Sequence, residues 1–243
     1  RSVAGHIPFP RLDGLSGAVL ILPLSSGERI IGAWLLQRDP PGSFSFDDLG
    51  LYDVVANQVA AALANALLYQ KTQELATHDE LTGLLNRRTL DQRLEMEWER
   101  SIRFGSVLSF IMLDVDKFKD FNDVYGHLVG DTVLHEVGRA LLETVRRVDT
   151  VARYGGEEFS VVLPRTSLAE AADVAEVIRR TIESRHVRYG DTTHKVTVSV
   201  GVACTSLGPG SISELIDLAD QAMMQAKCHG RNRIFVAPET GSV

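Results

Sequence analysis

The chain has 243 residues, enough for one large domain or two small ones. Hydrophobic residues make up 44% of it and charged residues 23%, which are globular proportions and exclude a disordered or fibrous architecture. The net charge of −7 argues against a general surface for duplex nucleic acid, because neutralising phosphates requires a basic face. We therefore expect no nucleic-acid partner, although a local basic pocket for a small anion is allowed.

The cysteines and the apolar runs indicate the cellular compartment of the protein and whether it spans a membrane. Cys204 and Cys228 are too few for a disulfide scaffold, which favours a reducing, cytoplasmic compartment. A membrane span needs about 20 mostly apolar residues, and the apolar stretch over residues 54–69 is interrupted by Asn and Gln. The first residue is not Met, and no signal-peptide pattern follows it. We expect a cytoplasmic fragment of a longer protein, without a membrane span.

The first elements along the chain are a predicted β-hairpin and a long helix. Residues 18–24 and 29–36 are apolar runs joined by a short turn that contains Gly, which predicts two paired strands. Ser45 followed by Asp48 is a capping pair at the start of a helix expected over Phe46–Thr77. Apolar side chains recur along it at spacings of three and four: Leu49, Tyr52, Ala56, Val59, Leu63, Ala66 and Tyr69. This pattern predicts a coiled-coil seam between two copies of the chain; the alternative is a core helix packed on its own domain.

Helices alternate with strands from His78 onward. Helices are expected over residues 87–103, 131–147, 168–184 and 212–227, and each of the last two is preceded by a Ser with Glu three residues later. Strands are expected over residues 107–115, 151–154, 159–163, 195–203 and 233–236. Helices interleaved with strands in this way predict a mixed sheet in a two-layer α/β sandwich.

Two acidic elements of this α/β part predict a metal site. Asp114 and Asp116 end the apolar strand, on one face because they are two residues apart. The turn between the next two strands has two glycines followed by Glu157 and Glu158; the glycines allow a tight turn and leave room for a bulky ligand. Magnesium takes oxygen ligands and keeps nucleotide phosphates as partners. The alternative, a solvated strand end, suits Asp116 better than Asp114.

Two basic residues near the C-terminus are candidates for holding phosphates. Lys227 and Arg231 are four residues apart, so both can lie on one side of a helix end. Together they offer a point charge and a bidentate fork. The alternative is ordinary stabilisation of a helix C-terminus by cations before Gly230.

The order of these motifs resembles the GGDEF-domain diguanylate cyclases. The motifs that carry the resemblance are Asp79-Glu-Leu-Thr-Gly-Leu-Leu-Asn-Arg-Arg88, Asp114-Val-Asp-Lys-Phe-Lys-Asp-Phe-Asn122, Gly126-His127, Gly130-Asp131, Arg153-Tyr-Gly-Gly-Glu-Glu-Phe159, Ser199-Val-Gly201 and residues 227–233. The resemblance covers residues 78–238 and implies an α/β (α+β) fold, with a palm-like mixed sheet of the nucleotidyl-cyclase kind flanked by helices. Residues 1–68 are similar to the C-terminal part of a GAF sensory domain, with a PAS or PHY relative as the alternative. Residues 69–77 are the expected coiled-coil linker.

The activity that the resemblance implies is condensation of two GTP molecules to cyclic di-GMP and two pyrophosphates. Asp114, the carbonyl of Val115 and Glu158 are then expected to hold Mg²⁺ ions, two per half-site, with Mn²⁺ as the alternative metal. The adjacent Glu157 is expected to act as a further ligand or as a general base. The signature here is a Gly-Gly-Glu-Glu-Phe variant that keeps a carboxylate at both acidic positions.

The remaining substrate contacts follow from the same resemblance. Lys227 and Arg231 are expected to hold the terminal phosphates, with help from Lys119. Asn122 and Asp131 are expected to bind guanine, because a carboxylate can accept from the N1 and N2 hydrogens of guanine whereas adenine offers no such pair of donors. Asp131 has an alternative role as the N-cap of its helix.

The product implies two copies of the chain. One domain binds one GTP and the product contains two guanylyl units, so we expect a homodimer that joins two half-sites through the coiled-coil helix. Arg146 and Asp149 match the RxxD motif at which many of these cyclases bind cyclic di-GMP as an inhibitor, since Arg can form a fork on phosphate or guanine. The alternative is a basic helix end followed by an exposed Asp.

Two other functions stay open on the sequence alone. A catalytically silent receptor for GTP or cyclic di-GMP has the same fold, but degenerate members usually lose the acidic signature residues, which this chain keeps. A polymerase or another nucleotidyl cyclase with a palm-like core needs different residues to bind its base. An assay for cyclic di-GMP with GTP and Mg²⁺ distinguishes a cyclase from a silent receptor. Replacing GTP by ATP in this assay tests the second alternative.

Overall fold

The computed structural model describes residues 17–39 and 42–238, without the side chains of residues 71–74. Residues 1–16 of the expected sensory part therefore lie outside the described residues. The chain divides into two compact units, Arg1–Glu74 and Leu75–Val243.

The first unit contains the predicted hairpin and the long helix. Strands β1 (Ala18–Ser26) and β2 (Arg29–Arg38) pair in antiparallel orientation, and helix α1 spans Phe46–Thr77 as predicted. The predicted capping pair is present, because the Asp48 main-chain N–H donates to Ser45 Oγ at 3.1 Å and the Ser45 N–H donates to Asp48 Oδ2 at 2.9 Å.

Helix α1 has both buried and exposed apolar side chains. Ala56 and Ala60 are buried with Leu22 and Leu24 of β1, so this part of the helix packs on its own hairpin, as the alternative to a coiled coil held. Exposed apolar side chains occur in both halves of α1: Phe46, Leu51, Val54 and Val59 in the first, and Leu67, Leu68, Tyr69 and Leu75 in the second. By length and composition α1 is also sufficient to cross a membrane, which the sequence analysis did not expect; a core helix of a protein in water passes the same test.

The second unit is built on a six-stranded mixed sheet. In spatial order the strands are β10 (Ile234–Val236), β9 (Val198–Cys204), β4 (Leu108–Val115), β6 (Glu158–Pro164), β5 (Thr150–Gly155) and β3 (Leu85–Asn86). The outer pairs β10–β9 and β5–β3 are parallel, and the inner pairs are antiparallel. Two further elements were not predicted. One is a separate small hairpin of β7 (Val187–Tyr189) and β8 (Thr192–His194), and the other is a 3₁₀ turn over Thr205–Leu207.

Helices cover both faces of this sheet. One face packs on α4 (His127–Thr144) and α5 (Leu168–Ser184), and the other packs on α2 (Arg87–Phe104) and α6 (Ile212–Cys228). The expected two-layer sandwich is therefore wrong, and the unit has three layers. The reason is visible in β4, which is buried along its whole length because its alternate side chains enter two different cores.

The connection that follows β4 also differs from the prediction. Helix α3 (Phe118–Tyr125) was not predicted, and α4 begins at His127 rather than at residue 131. Gly126, with a φ of 85°, separates the two helices. Asp131 lies inside α4, so its alternative role as an N-cap is wrong.

Candidate active site

Asp114 lies at the end of β4 and is almost fully buried, with 6% of its surface exposed. Its Oδ2 contacts Nζ of Lys227, in the last turn of α6, at 2.8 Å. Burial raises the pKa of Asp114 above its ordinary value, and the Lys227 ammonium opposes that shift. The structure thus brings one predicted metal ligand into contact with one predicted phosphate-binding residue.

The signature turn, residues 155–158, lies beside Asp114. Glu158 is the direct cross-strand partner of Asp114, and the Val115 N–H donates to the Glu157 carbonyl at 3.2 Å. Gly156 closes the turn with a φ of 36°, in the region that favours glycine. Burial raises the pKa of Glu157 and of Glu158, and the charge of Asp114 adds to both shifts. The turn therefore concentrates negative charge that a cation would neutralise.

The number and chemistry of these carboxylates decide which metal they suit. Directly opposed residues of an antiparallel pair have Cβ atoms about 4.5–5.5 Å apart, so Asp114 and Glu158 can reach one cation. Among the residues that the structure describes, no three His, Cys, Asp or Glu side chains are arranged to hold a metal ion. Mg²⁺ needs no such group, because it usually binds through one or two carboxylates and substrate phosphates. The donor set fits a magnesium ion whose coordination is completed by a nucleotide.

Arg153 on β5 links the signature turn to the segment that follows α1. Its Nη1 donates to both carboxylate oxygens of Asp79, at 3.1 and 3.0 Å. Its Nε and Nη2 donate to the Gly156 carbonyl, at 3.0 and 2.6 Å. Arg153 and Asp79 are both motif residues, but their contact was not predicted from the sequence. Arg153 therefore fixes both the start of the second unit and the tip of the signature turn.

Replacing Arg153 by Met is expected to destabilise the second unit by about 2 kcal/mol at pH 7, since hydrogen bonds to charged groups contribute about 1.5–3 kcal/mol. Burial opposes ionisation of Asp79, but hydrogen bonds from Thr82 and Arg153 hold its pKa below the ordinary value of 3.8. A lowered pKa gives stability that is present above the unfolded-state pKa and is lost as the pH falls through the folded-state pKa.

Urea denaturation of both proteins at pH 7 and pH 3 checks this prediction, with Arg139→Met as the control because Arg139 pairs with Glu136 on an exposed helix surface. The difference in free energy of unfolding between wild type and Arg153→Met should be smaller at pH 3 than at pH 7. A difference of the same size at both pH values would contradict the role of the Asp79 ion pair.

The corner between α3 and α4 holds the residues predicted to bind guanine. Asn122 Oδ1 is buried and accepts no hydrogen bond from any described residue. An unpartnered buried acceptor is costly, and a ligand that donates N–H groups at this point would satisfy it. Asp131 is exposed, on the next helix. An unpartnered acceptor of this kind suits an N–H donor such as those at N1 and N2 of guanine.

Gly130 is required by the close approach of Asn122. A Cβ atom at position 130 would lie 1.9 Å from Asn122 Oδ1 and 3.1 Å from Phe118 Cζ. Gly130→Ala is expected to displace the Asn122 side chain. For GTP, the substrate that the sequence resemblance implies, the KM is then expected to rise about tenfold or more, because the base loses a buried polar partner. Steady-state kinetics check this, with Gly138→Ala on the same helix as the control, since its Cβ would lie 3.4 Å from its neighbours. A folded Gly130→Ala protein with an unchanged KM would contradict the assignment.

The predicted phosphate-binding residues come from two elements. Lys227 lies in the last turn of α6, and Arg231 follows in a loop with a φ of 62°. The charge of Arg231 lowers the pKa of Asp114, as that of Lys227 does, so both cations act on the same carboxylate. Lys119 is exposed at the second residue of α3.

Known proteins are similar to this chain over most of its second unit. The sequence profile described as "Diguanylate cyclase, GGDEF domain" matches residues 76–233, well over half of the chain, including Asp114, the signature turn and Lys227. The chain belongs to the GGDEF family. Diguanylate cyclases of this family use divalent metal ions, which agrees with the carboxylates at the strand end.

Relatives of this GGDEF protein cover different parts of it. Diguanylate cyclase A of Treponema denticola is 35% identical over 219 residues, which are 89% of this chain and 58% of that protein. The coiled coil and GGDEF domain of DgcB from Caulobacter crescentus, solved in complex with c-di-GMP, matches with a TM-score of 0.68 and 31% identity, over 77% of this chain and 99% of that one. The active GGEEF domain of a diguanylate cyclase from Vibrio cholerae matches with a TM-score of 0.61 and 31% identity, over 65% and 99%. These likenesses confirm the expected mixed-sheet fold, and the chain spans less than two thirds of its relative from Treponema denticola.

The RxxD residues of this GGDEF domain are bonded to each other. Arg146 donates to Asp149 through Nη2 at 2.9 Å and through Nε at 3.1 Å, and also to Thr166 Oγ1 at 2.7 Å. The Asp149 side chain is 1% exposed, and α4 ends at Thr144, so the alternative of a basic helix end with an exposed Asp is wrong. Arg146 borders a cavity of about 580 Å³ with four further arginines: Arg93, Arg100, Arg147 and Arg165. The RxxD motif was predicted from the sequence, whereas these four arginines were not.

Proposed function

We propose that the chain is a diguanylate cyclase, which condenses two GTP molecules to cyclic di-GMP and two pyrophosphates. The pairing of Asp114 with Glu158 across β4 and β6, with Lys227 in contact, carries the proposal. It joins paired carboxylates that suit a metal ion to a cation that suits phosphate. The relatives named diguanylate cyclases, including one with an active GGEEF signature, support the same activity.

The proposed reaction is the same in each half-site. The 3′-oxygen of one GTP attacks the α-phosphorus of the other, the bond from that phosphorus to the bridging oxygen breaks, and pyrophosphate leaves. Glu157, whose pKa is raised by burial and by Asp114, takes the proton of the 3′-hydroxyl as general base. Asp114, Glu158 and the carbonyl of Val115 would hold the metal, for which we propose Mg²⁺, two ions per half-site, with Mn²⁺ as a substitute. When bound there, it would supply positive charge that neutralises the phosphates and lowers the pKa of the attacking hydroxyl.

The substrate contacts in this proposal use the two basic elements and the helix corner. Lys227, Arg231 and Lys119 bind the terminal phosphates and the leaving pyrophosphate. Asn122 and Asp131 bind the guanine edge, and the unpartnered oxygen of Asn122 supports that role. ATP lacks the matching donors and is expected to be a poor substrate.

Two copies of the chain are needed, because the product joins two guanylyl units and one domain holds one of them. We propose a homodimer through the C-terminal half of α1, where apolar side chains are exposed. The hairpin and the N-terminal half of α1 are then the C-terminal part of a GAF-like sensory domain that regulates the cyclase in the cytoplasm. Its two strands and long helix support this part of the proposal.

Incubation with GTP and Mg²⁺ over a range of protein concentrations tests the function and the dimer together. Cyclic di-GMP is the expected product, and the specific activity is expected to fall at low protein concentration as the dimer dissociates. Binding of GTP without any product at high concentration would favour the alternative, a catalytically silent receptor. Formation of a cyclic product from ATP at a similar rate would contradict the roles of Asn122 and Asp131.

Product inhibition is expected to depend on Arg146. We propose that cyclic di-GMP binds at Arg146 and Asp149, outside the GTP site, so inhibition by added product should be noncompetitive with GTP. Arg146→Ala removes the fork that binds phosphate or guanine, and the inhibition constant is expected to rise about tenfold or more while kcat is kept. Initial rates with added cyclic di-GMP measure this, with Arg139→Ala, on an exposed surface of α4, as the control. Equal inhibition of wild type and Arg146→Ala would show that the site lies elsewhere.

A further inference from the structure

Asp116 is the acidic residue of the strand end that the proposed reaction does not use. Its carboxylate accepts three hydrogen bonds. Oδ1 accepts from Ser199 Oγ at 2.6 Å, and Oδ2 accepts from Thr197 Oγ1 at 2.7 Å and from the main-chain N–H of Asn232 at 3.0 Å. The alternative of a solvated strand end therefore does not hold for Asp116, which is half-buried and hydrogen-bonded. Its carboxylate joins β9 to the loop that follows α6.

That loop has an unusual backbone. Gly230, Arg231 and Asn232 have φ angles of 110°, 62° and 47°. For a residue with a side chain the left-handed region costs about 1 kcal/mol or more, and it persists only where the surroundings enforce it. Arg231 is therefore held in a conformation that an unsupported loop would leave.

The side chain of Asn232 supplies a second anchor for this loop. Its Oδ1 accepts from Arg179 Nη1 at 2.7 Å, and its Nδ2 donates to Glu183 Oε1 at 2.7 Å. Both partners lie on α5, where Arg179 also pairs with Glu183 at 2.8 Å. The loop is thus tied to β4 through Asp116 and to α5 through an ion pair.

Hydrogen bonds fix both peptide groups that flank the Cα atom of Arg231. The Arg231 N–H donates to the Ala226 carbonyl of α6 at 3.0 Å, and the next N–H along the chain is the one that Asp116 accepts. We infer that Asp116 and Asn232 are positioning residues, which hold Arg231 where its guanidinium meets the terminal phosphates of GTP. The inference rests on the proposed function, because the phosphate-binding role of Arg231 belongs to it.

A positioning role makes a prediction that a metal-ligand role does not. In an Asp116→Asn protein the amide oxygen can still accept from the Asn232 N–H, and the amide nitrogen can donate to Ser199 Oγ, because a hydroxyl also accepts. Asp116→Asn should therefore keep most of the function, whereas Asp116→Ala loses the anchor. If the negative charge of Asp116 were what mattered, both variants would lose function to the same extent, because neither carries that charge.

The test compares two ligands that differ in their phosphates, guanosine 5′-[α,β-methylene]triphosphate and GMP, with Mg²⁺ present. Isothermal titration gives the affinity of each for wild type, Asp116→Ala, Asp116→Asn and Arg231→Ala. Asp116→Ala is expected to weaken triphosphate binding about tenfold, as Arg231→Ala does, and to change GMP binding by no more than about twofold. The double variant Asp116→Ala/Arg231→Ala should be no weaker than Arg231→Ala alone, since both act through one contact.

Four results would overturn the inference. The effects of the two substitutions on triphosphate affinity could multiply in the double variant, or Asp116→Ala could lower the affinity for GMP as much as that for the triphosphate. Asp116→Asn could bind the triphosphate as weakly as Asp116→Ala, or the wild type could bind the triphosphate no better than GMP. If Asp116→Ala fails to fold, Asn232→Gly takes its place, because glycine suits the positive φ and removes only the side-chain anchor. The cyclase assay on wild type is separate, so a protein that binds the triphosphate through Arg231 without making product would refute the proposed activity and leave the positioning role standing.

Discussion

Replacing Asp114 by Asn or Glu158 by Gln is expected to lower kcat for cyclic di-GMP formation by about a thousandfold or more. Each substitution removes one of the two carboxylates that face each other across β4 and β6. Loss of a metal ligand leaves phosphate charge uncompensated, and each 1.36 kcal/mol of lost transition-state stabilisation costs about tenfold in rate. Chromatographic measurement of product at saturating GTP and Mg²⁺ gives the rate.

The fold is expected to survive these substitutions. Burial raises the pKa of Glu158, so its ionised form is disfavoured in the folded protein, and the stability linked to it is present at low pH and lost as the pH rises through the folded-state pKa. Glu158→Gln removes this charge at neutral pH, and its melting temperature should equal or exceed that of wild type. Asp114→Asn also loses the Lys227 ion pair, so Glu158→Gln is the cleaner variant. A folded Glu158→Gln protein with near-normal kcat would exclude Glu158 as a metal ligand; Asp173→Asn, exposed on α5, controls for loss of an acidic side chain.

The same raised pKa values predict how the rate responds to acid. Asp114, Glu157 and Glu158 each have a pKa above its ordinary value, with burial as the main cause. Protonated carboxylates bind Mg²⁺ poorly, so the activity should fall on acidification at a higher pH than free carboxylates would give. This direction is opposite to that of Asp79, whose lowered pKa keeps its ion pair intact to lower pH.

Local patterns in the sequence were sufficient to predict the helices that have a capping residue at their start and the strands that are continuous apolar runs. Helix α1 begins directly after Ser45, which forms the predicted capping pair with Asp48 in the first turn. Helix α5 begins directly after Ser167, with the predicted capping box. The strands β4 and β6 follow from their apolar runs, and their pairing then places Glu158 opposite Asp114. The caps of the two helices join residues three positions apart, and the apolar runs of the two strands are each continuous in the sequence.

Helix α3 was missed because it has no such signal. It is only eight residues long, and helices shorter than about 12 residues depend on tertiary packing. Its N-cap, Lys117, has a φ of 55° and makes no side-chain cap, and α4 likewise begins after Gly126 without one. The sequence rule for caps therefore pointed to Asp131, four residues too late.

Contacts between distant residues were the other part that the sequence could not predict. Asp116 lies 116 positions before Asn232, and Asp79 lies 74 positions before Arg153. Their meeting depends on the order of the strands and on where α6 leaves the sheet, and no local period encodes either. The candidate site was thus predictable in its residue types, while the network that supports Arg231 was not.

Gly201→Ala is expected to have the largest effect on stability. The glycine lies in the middle of β9, and α6 rests directly on it: a Cβ atom there would lie 2.0 Å from the Ala219 carbonyl oxygen and 2.3 Å from the Met223 nitrogen. These are main-chain atoms, so no side chain can rotate away, and the helix or the strand must move. Overpacking of a core costs about 1–3 kcal/mol, occasionally more, and a backbone clash between two central elements belongs at the upper end of that range.

A loss of about 3 kcal/mol should lower the melting temperature of the second unit by about 6–12 °C. Calorimetry measures this, with Gly210→Ala as the control, because a Cβ there would meet only the Glu214 carboxylate at an ordinary 3.5 Å. The activity of the folded fraction should fall as well, since α6 carries Lys227, and a helix moved away from β9 takes its ammonium away from Asp114. A Gly201→Ala protein that melts within about 1 °C of wild type would mean that α6 does not rest on β9 at this point, and the contact of Lys227 with Asp114 would then need another support.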